Sequence, residues 1–552
     1  MSKSSRLRAL LASGYFPEEL PPPFTTVPFA TYRKAIGDAW ALLPNYPKTV
    51  PERFSVPKVS DWRRELAIVN PLAEYHVSKL IADNWVQIDK HLKSASFGVE
   101  ELSIKSDQVR AVGAPDFRLV SVRHAEISAI HNYVVTADIS RFYGTLYTHV
   151  IPWALHTKSW SKGNLNTPAY NMSLGAKLDR AVRKGNDNQT MGIPVGPDSS
   201  RIISEIVAVG IDSRAKAALQ LESESSVRNV DDWYIGFDGP GPAEDAIAVL
   251  VSAAREYELE IHPEKTRVVH VPADVQPVWP SALRQIVISS LMREQSKTID
   301  YYFSQAFQFS AMYKDQNVLR FAVRRLSGVQ IYRSNWHQVE TYLLKAARTN
   351  ATTIPLVALV ISDHARRGYQ VERDRVKKLI KDIVLKAGPL GAHYEIVWAL
   401  FLAKSLRITL PAEWVQSVTK LESSACALVL LDIMQLGLID GQLDLALWTQ
   451  MLTRRGLESN MWLLAYEADL KGWLTAPTPG FVQAHPQFAE LRRRNVYFYD
   501  QAKHMPTTQE LRPRGPSEAF LRHMAAFTSQ PVDVDEFQVL LEEWELPQGY
   551  DF

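Results

Sequence analysis

Asp231 and Asp232 stand side by side in the run VRNVDDWYIGF, residues 227–237, between a short β-prone stretch and an aromatic-rich one. The pattern predicts a hairpin with both carboxylates at its tip. Two such charges repel, and one carboxyl is driven to a higher pKa unless a cation lies between them. A hard divalent ion that prefers oxygen ligands, Mg²⁺ or Mn²⁺, relieves that repulsion. About 90 residues upstream, Val134, Val135 and Thr136 lead into Asp138, which the β-branched run puts at a strand end. A third carboxylate facing the hairpin would give a two-metal site for in-line phosphoryl transfer.

Three further segments would position such a site. Residues 192–197 read GIPVGP, a rigid turn in which Gly196 permits close backbone approach. Ser199 or Ser200 then opens a helix whose apolar face is Ile202, Ile203, Ile206, Val207 and Val209. Residues 259–271, LEIHPEKTRVVHV, put Lys265 near a turn before another β-prone run.

The ordered set resembles motifs A, B, C and D of the reverse-transcriptase palm: Asp138 in VVTADISRFYGTLYTH, the run GIPVGPDSS, the pair in NVDDW, and Lys265-Thr266. The segment WRRELAIVNP, residues 62–71, resembles the fingers segment of the same fold. More narrowly, residues 140–158, 14–24 (GYFPEELPPPF) and 485–500 (HPQFAELRRRNVYFYD) resemble the bacterial abortive-infection reverse transcriptases, the AbiK type and its P2-prophage relative. The resemblance implies an antiphage enzyme that makes single-stranded DNA from dNTPs without a template. It also implies that synthesis starts on a protein side chain, so the product is covalently attached, and that the chain assembles into a homo-oligomer. It implies roles as well: Asp138, Asp231 and Asp232 as catalytic metal ligands, Arg64 on the triphosphate, Tyr143 as the gate against a ribose 2′-hydroxyl, and Lys265 near the leaving pyrophosphate. Tyr15 is the priming candidate, because it lies in the flexible-looking, proline-held segment 14–24.

The chain departs from ordinary reverse transcriptases at Val195, where glutamine is usual, at Arg201, where proline is usual, and at Asn229, where an aromatic is usual. The first and third changes remove groups that sit against the template and primer end, and leave the carboxylates intact. Two alternatives are a templated enzyme copying a specific RNA and a catalytically silent oligomeric scaffold. The intact aspartates speak against the scaffold. No acidic cluster of the RNase H or integrase kind follows the palm, so retroelement mobility is not expected.

The expected fold class is α+β: a fingers–palm domain followed by an all-α, HEAT-like helical-repeat domain. Residues 1–60 read as a proline-rich N-terminal extension and 61–270 as fingers and palm. Residues 271–285, with three prolines, read as a linker, and 286–552 as helix pairs. Apolar residues repeat at helix spacing (Val339, Leu343 and Ala346; Val376, Leu379, Ile380 and Val384), with helix starts every ~17–20 residues. Arg366, Arg367, Lys377 and Lys378 would line a basic tunnel for the growing strand. Net charge is only +2, from 62 basic and 60 acidic residues, so nucleic acid would have to be held by such local charge. The single cysteine, Cys426, sits in an apolar run as a core residue. It excludes an internal disulfide and fits a cytoplasmic location. No apolar stretch is long enough to span a membrane.

Overall fold

The structure, a computed structural model, describes residues 1–508 apart from 59–61, 95–96, 107, 114, 222, 274–276 and 315, together with 520, 522 and 523. A hairpin of β1 (Glu52–Pro57) and β2 (Arg63–Ile68) stands alone. β3 (Tyr133–Asp138), β4 (Ser226–Asn229), β5 (Asp232–Phe237) and β6 (Arg267–His270) form an antiparallel sheet in the order β4-β5-β3-β6. Pairing of β1 with β2 joins residues on both sides of the boundary expected at 60/61.

The helices that position the site are α1 (Lys3–Ala12), α2 (Pro71–Asp83), α3 (Phe117–Ile130), the single turn α4 (Phe142–Thr145), α5 (Asp198–Leu219) and α6 (Pro240–Glu256). Strand alternation sorts the sheet's side chains. Val135, Ala137, Trp233, Ile235 and Phe237 face a core shared with α5 and α6, while Val134, Val227 and Tyr234 face Ile127 of α3. α5 begins at Asp198, whose carboxylate suits the positive end of a helix, and ends at Gln220 in the left-handed conformation. Its buried stripe includes all five expected apolar residues, Ile202, Ile203, Ile206, Val207 and Val209.

Beyond the sheet come α7 (Trp279–Gln285), α8 (Met292–Met312), α9 (Val318–Ser327), α10 (Trp336–Thr349), α11 (Ile354–Arg366), α12 (Arg373–Ala387), α13 (His393–Leu406), α14 (Ser424–Gln435) and α15 (Trp462–Lys471). They stack in two rows. α9 rests on α11, α11 on α13, α13 on α14 and α14 on α15; α8, α10 and α12 form the second row. From α9 to α13 the helices start at 318, 336, 354, 373 and 393, the expected rhythm, which lapses after α13. The stretch expected as a linker contributes α7, with Trp279 and Leu283 buried against α8 and α9. Cys426 is buried in α14. Beyond Thr508 the region expected to run to 552 lies largely outside the described residues. Among the described residues no helix is long and apolar enough to cross a membrane.

The N-terminal segment is not a surface wrapping. Tyr15, Phe16 and Phe29 share one core with β1, β2 and α7–α15. Two segments marked by the sequence, 14–24 and 485–500, meet there. Phe24 bridges Tyr499, the Thr25 N–H donates to the Phe498 carbonyl at 2.9 Å, and the Asp500 N–H donates to the Pro23 carbonyl at 2.7 Å.

Candidate active site

Asp138 ends β3, and Asp232 begins β5 directly opposite it in the antiparallel register. Asp232 also pairs with Asn229 of β4, so Val230 and Asp231 form a two-residue turn. Val230 has φ 56°, a left-handed conformation unusual for a β-branched residue and worth about 1–3 kcal/mol of strain. Arg228 holds it: Nη1 donates to the Val230 carbonyl at 2.5 Å. The same guanidinium donates to Glu205 at 2.6 Å and Asp212 at 2.9 Å, both on α5, and Trp233 Nε1 donates to Asp212 at 2.9 Å. Arg228 and Asp212 are wholly buried. Packing between α5 and the sheet thus fixes the tip that carries Asp231.

The three carboxyls act on one another. Asp231 is pushed up to about 6 by loss of water and then by the charge of Asp138. Asp232 is pushed up to about 7 by loss of water, then by Asp231 and Asp138. Asp138 is buried and accepts a hydrogen bond from Lys265 Nζ. Burial works against the Lys265 charge, but Asp138 and the two other aspartates outweigh it and raise its pKa. The Thr136 hydroxyl donates to the Lys265 carbonyl at 3.3 Å, and the His262 N–H donates to the Asp138 carbonyl at 2.7 Å, holding this segment along β3. Among the described residues no three His, Cys, Asp or Glu side chains converge as a ready metal cage. Asp138 is instead turned onto the Lys265 ammonium.

Arg64 is half-buried on β2, and its charge lowers the pKa of Asp231. Lys58, unnoticed in the sequence, shares this space. Partial burial, then Arg64 and Lys265, lower its pKa, while Asp138 and Asp231 raise it. Its N–H donates to the Trp62 carbonyl at 2.8 Å across the end of the hairpin. The β1–β2 pairing was the signal for it, hidden because residues 1–60 read as an extension. Tyr143 of α4 accepts from Ser204 Oγ of α5 at 3.0 Å. Burial raises its phenol, and Arg201 and Asp231 act on it electrostatically.

Most of the remaining expected residues are held by the chain's own packing. Gly196 has φ 128°, and a Cβ there would meet Pro17 Cγ at 3.0 Å and the Ala67 carbonyl at 3.4 Å. Its close approach is to the chain's own N-terminal segment and β2. Tyr15 is not on a flexible arm. Its ring is fully buried, its hydroxyl donates to the Val69 carbonyl at 2.6 Å, and burial holds its pKa well above the ordinary phenol value. A docked Tyr15 anchors the segment and presents no nucleophile. Of the four tunnel residues, Arg366 donates to the Met505 and Pro506 carbonyls, and Arg367 pairs with Asp363 at 2.7 Å. Lys377 lies over the Trp414 ring at 5.6 Å, and Lys378 is exposed. The two arginines hold the segment from Met505 to Thr508.

No protein-family model and no curated protein matches the chain. Among solved structures, telomerase from Candida albicans in complex with a TWJ fragment of telomeric RNA is similar at 10% identity with a TM-score of 0.27, over 60% of this chain and 65% of that one. This chain thus spans less than two thirds of that protein's length, and a likeness of this size carries no weight for fold or function.

Proposed function

We propose that the chain is a reverse-transcriptase-like nucleotidyltransferase that joins dNTPs at Asp138, Asp231 and Asp232. In the finer reading it is a template-independent, protein-primed DNA polymerase of antiphage defence that works as a homo-oligomer. The observation that carries the proposal is the register that sets Asp138 against Asp232, with Asp231 on the adjoining strained tip. Freedom from a template is supported by Val195, which presents no polar side chain and packs against the core, while its carbonyl accepts from the Ala67 N–H at 2.7 Å.

Mutually repelling carboxylates, one already paired with a lysine, are a donor set that fits a hard cation such as Mg²⁺ or Mn²⁺. When bound, such ions supply charge neutralisation and activation of the attacking oxygen. The chain's own groups do the rest. An acceptor hydroxyl forms a bond to the α-phosphorus, the α–β phosphoanhydride bond breaks, and pyrophosphate leaves. Arg64 and Lys58 offer cationic donors for the triphosphate oxygens, and Lys265 carries a proton for the leaving group. Tyr143 crowds a sugar 2′-hydroxyl. Priming falls to a hydroxyl other than the docked Tyr15.

The test is purified protein with labelled dNTPs and Mg²⁺, with and without nuclease pretreatment, run on a denaturing protein gel. Label that co-migrates with the polypeptide and resists nuclease pretreatment is expected. Asp231→Asn or Asp138→Asn should reduce incorporation by about 10³-fold, equivalent to several kcal/mol of transition-state stabilisation. Near-normal incorporation in either variant would sink the site. Label appearing only with added RNA would select templated copying.

A further inference from the structure

Arg201 lies on the first turn of α5, one turn before Glu205, and is half-buried. Its Nε is buried and meets no acceptor. The anions around it are taken: Asp198 by Arg110 at 2.5 Å and Glu205 by Arg228 at 2.6 Å. The Tyr143 hydroxyl accepts from Ser204, whose Oγ also reaches the Arg201 carbonyl at 2.9 Å. Yet the charge of Arg201 acts on Tyr143, which also senses Asp231. Ser204, set between the Arg201 carbonyl and the Tyr143 hydroxyl, ties this first turn of α5 to the proposed gate. Buried donors are matched almost everywhere in folded proteins, so an unmatched one points to a missing acceptor.

We infer that Arg201 binds two adjacent acceptors on the nucleotide and sets which nucleotide the enzyme uses. The inference rests on the proposed nucleotidyltransferase reading. A planar fork of donors matches the O6/N7 edge of guanine, and equally a pair of phosphate oxygens. In an enzyme that reads no template, base identity has to be read by side chains. Val195 offers none, and Arg201 carries a fork on the same helical turn that holds Ser204 against the gate.

Isothermal titration of the full chain with each of the four dNTPs in Ca²⁺ tests this, using wild type, Arg201→Lys (charge without the fork) and Arg201→Gln. Base reading predicts about tenfold weaker dGTP binding in both variants, within the discrimination of a paired contact. The other three nucleotides should stay within about twofold and melting temperatures should not change. An equal loss for all four nucleotides in Arg201→Gln, with partial rescue in Arg201→Lys, would put the fork on phosphate and overturn the selection of one nucleotide. Unchanged affinities in both variants overturn the inference while leaving the proposed function standing. A wild type that binds no dNTP overturns the proposed function and takes this inference with it.

Discussion

Two tyrosines differ in what surrounds the ring oxygen. The Tyr143 hydroxyl accepts from Ser204 beside the carboxylates, whereas the Tyr15 hydroxyl donates to a backbone carbonyl inside the core. Tyr15→Phe therefore strands the buried Val69 carbonyl. It is expected to cost about 1–3 kcal/mol in urea denaturation, with nucleotide incorporation unchanged. An unchanged midpoint would show that the bond contributes nothing. The aspartates were legible in the sequence because adjacent carboxylates at a predicted hairpin tip have few uses. The role of Tyr15 was not legible, since its burial depends on Phe498 and Trp462, far along the chain. Lys58 was missed for a similar reason: it belongs to a pairing rather than to a motif.

Within elements, the hairpin and its backing helix form one electrostatic unit. Alternation along Ser226–Asn229 does not distinguish Arg228 from a surface residue. Asp212 and Glu205 of α5 make it a buried one, and no local pattern announces that. Arg228→Met leaves both carboxylates uncompensated in the interior and is expected to destabilise the chain by about 3–5 kcal/mol, read by chemical denaturation. Glu74 of α2 gives a gentler handle. It is buried, accepts from Ser78 Oγ at 2.7 Å and Ser199 Oγ at 2.9 Å, and loss of water raises it from 4.5 to about 8. The folded chain therefore holds this proton where the unfolded chain has lost it. The stability it contributes is complete below 4.5 and is lost progressively as pH rises to about 8. Glu74→Gln removes that slope, so wild type should lose stability relative to the variant between pH 5 and pH 8, as measured by paired thermal scans. Glu52 and Glu467, both raised to about 7, slope the same way in both proteins and cancel in the difference. A constant difference across the range would mean that Glu74 is ionised throughout.

Across the whole molecule, the helical stack and the sheet-bearing part are not separable bodies. α13 packs on β1, Arg63 forks onto Glu395 at 2.7 and 2.9 Å, and Trp462 Nε1 donates to the Ile68 carbonyl at 3.2 Å. The sequence disclosed the strand-rich part, the helical rhythm and the order of the two. It did not disclose their shared core, because periodicity marks which face is apolar and not which partner covers it. Residues 1–285 and 286–552 expressed apart are expected to be insoluble, each exposing half of that core. A soluble, cooperatively melting 1–285 fragment would show that the sheet-bearing half stands alone.

Trp40 donates to the carbonyl of Gln487, 447 residues later, and Trp398 donates to that of Glu19. On a ribosome adding about 5–20 residues per second, the first aromatic cluster waits roughly 20–90 s for the chain that covers it. The earliest part of the protein to be made is thus among the last to be finished. A chain interrupted before its end still lacks Phe498 and Trp462, so its N-terminal aromatic cluster stays uncovered.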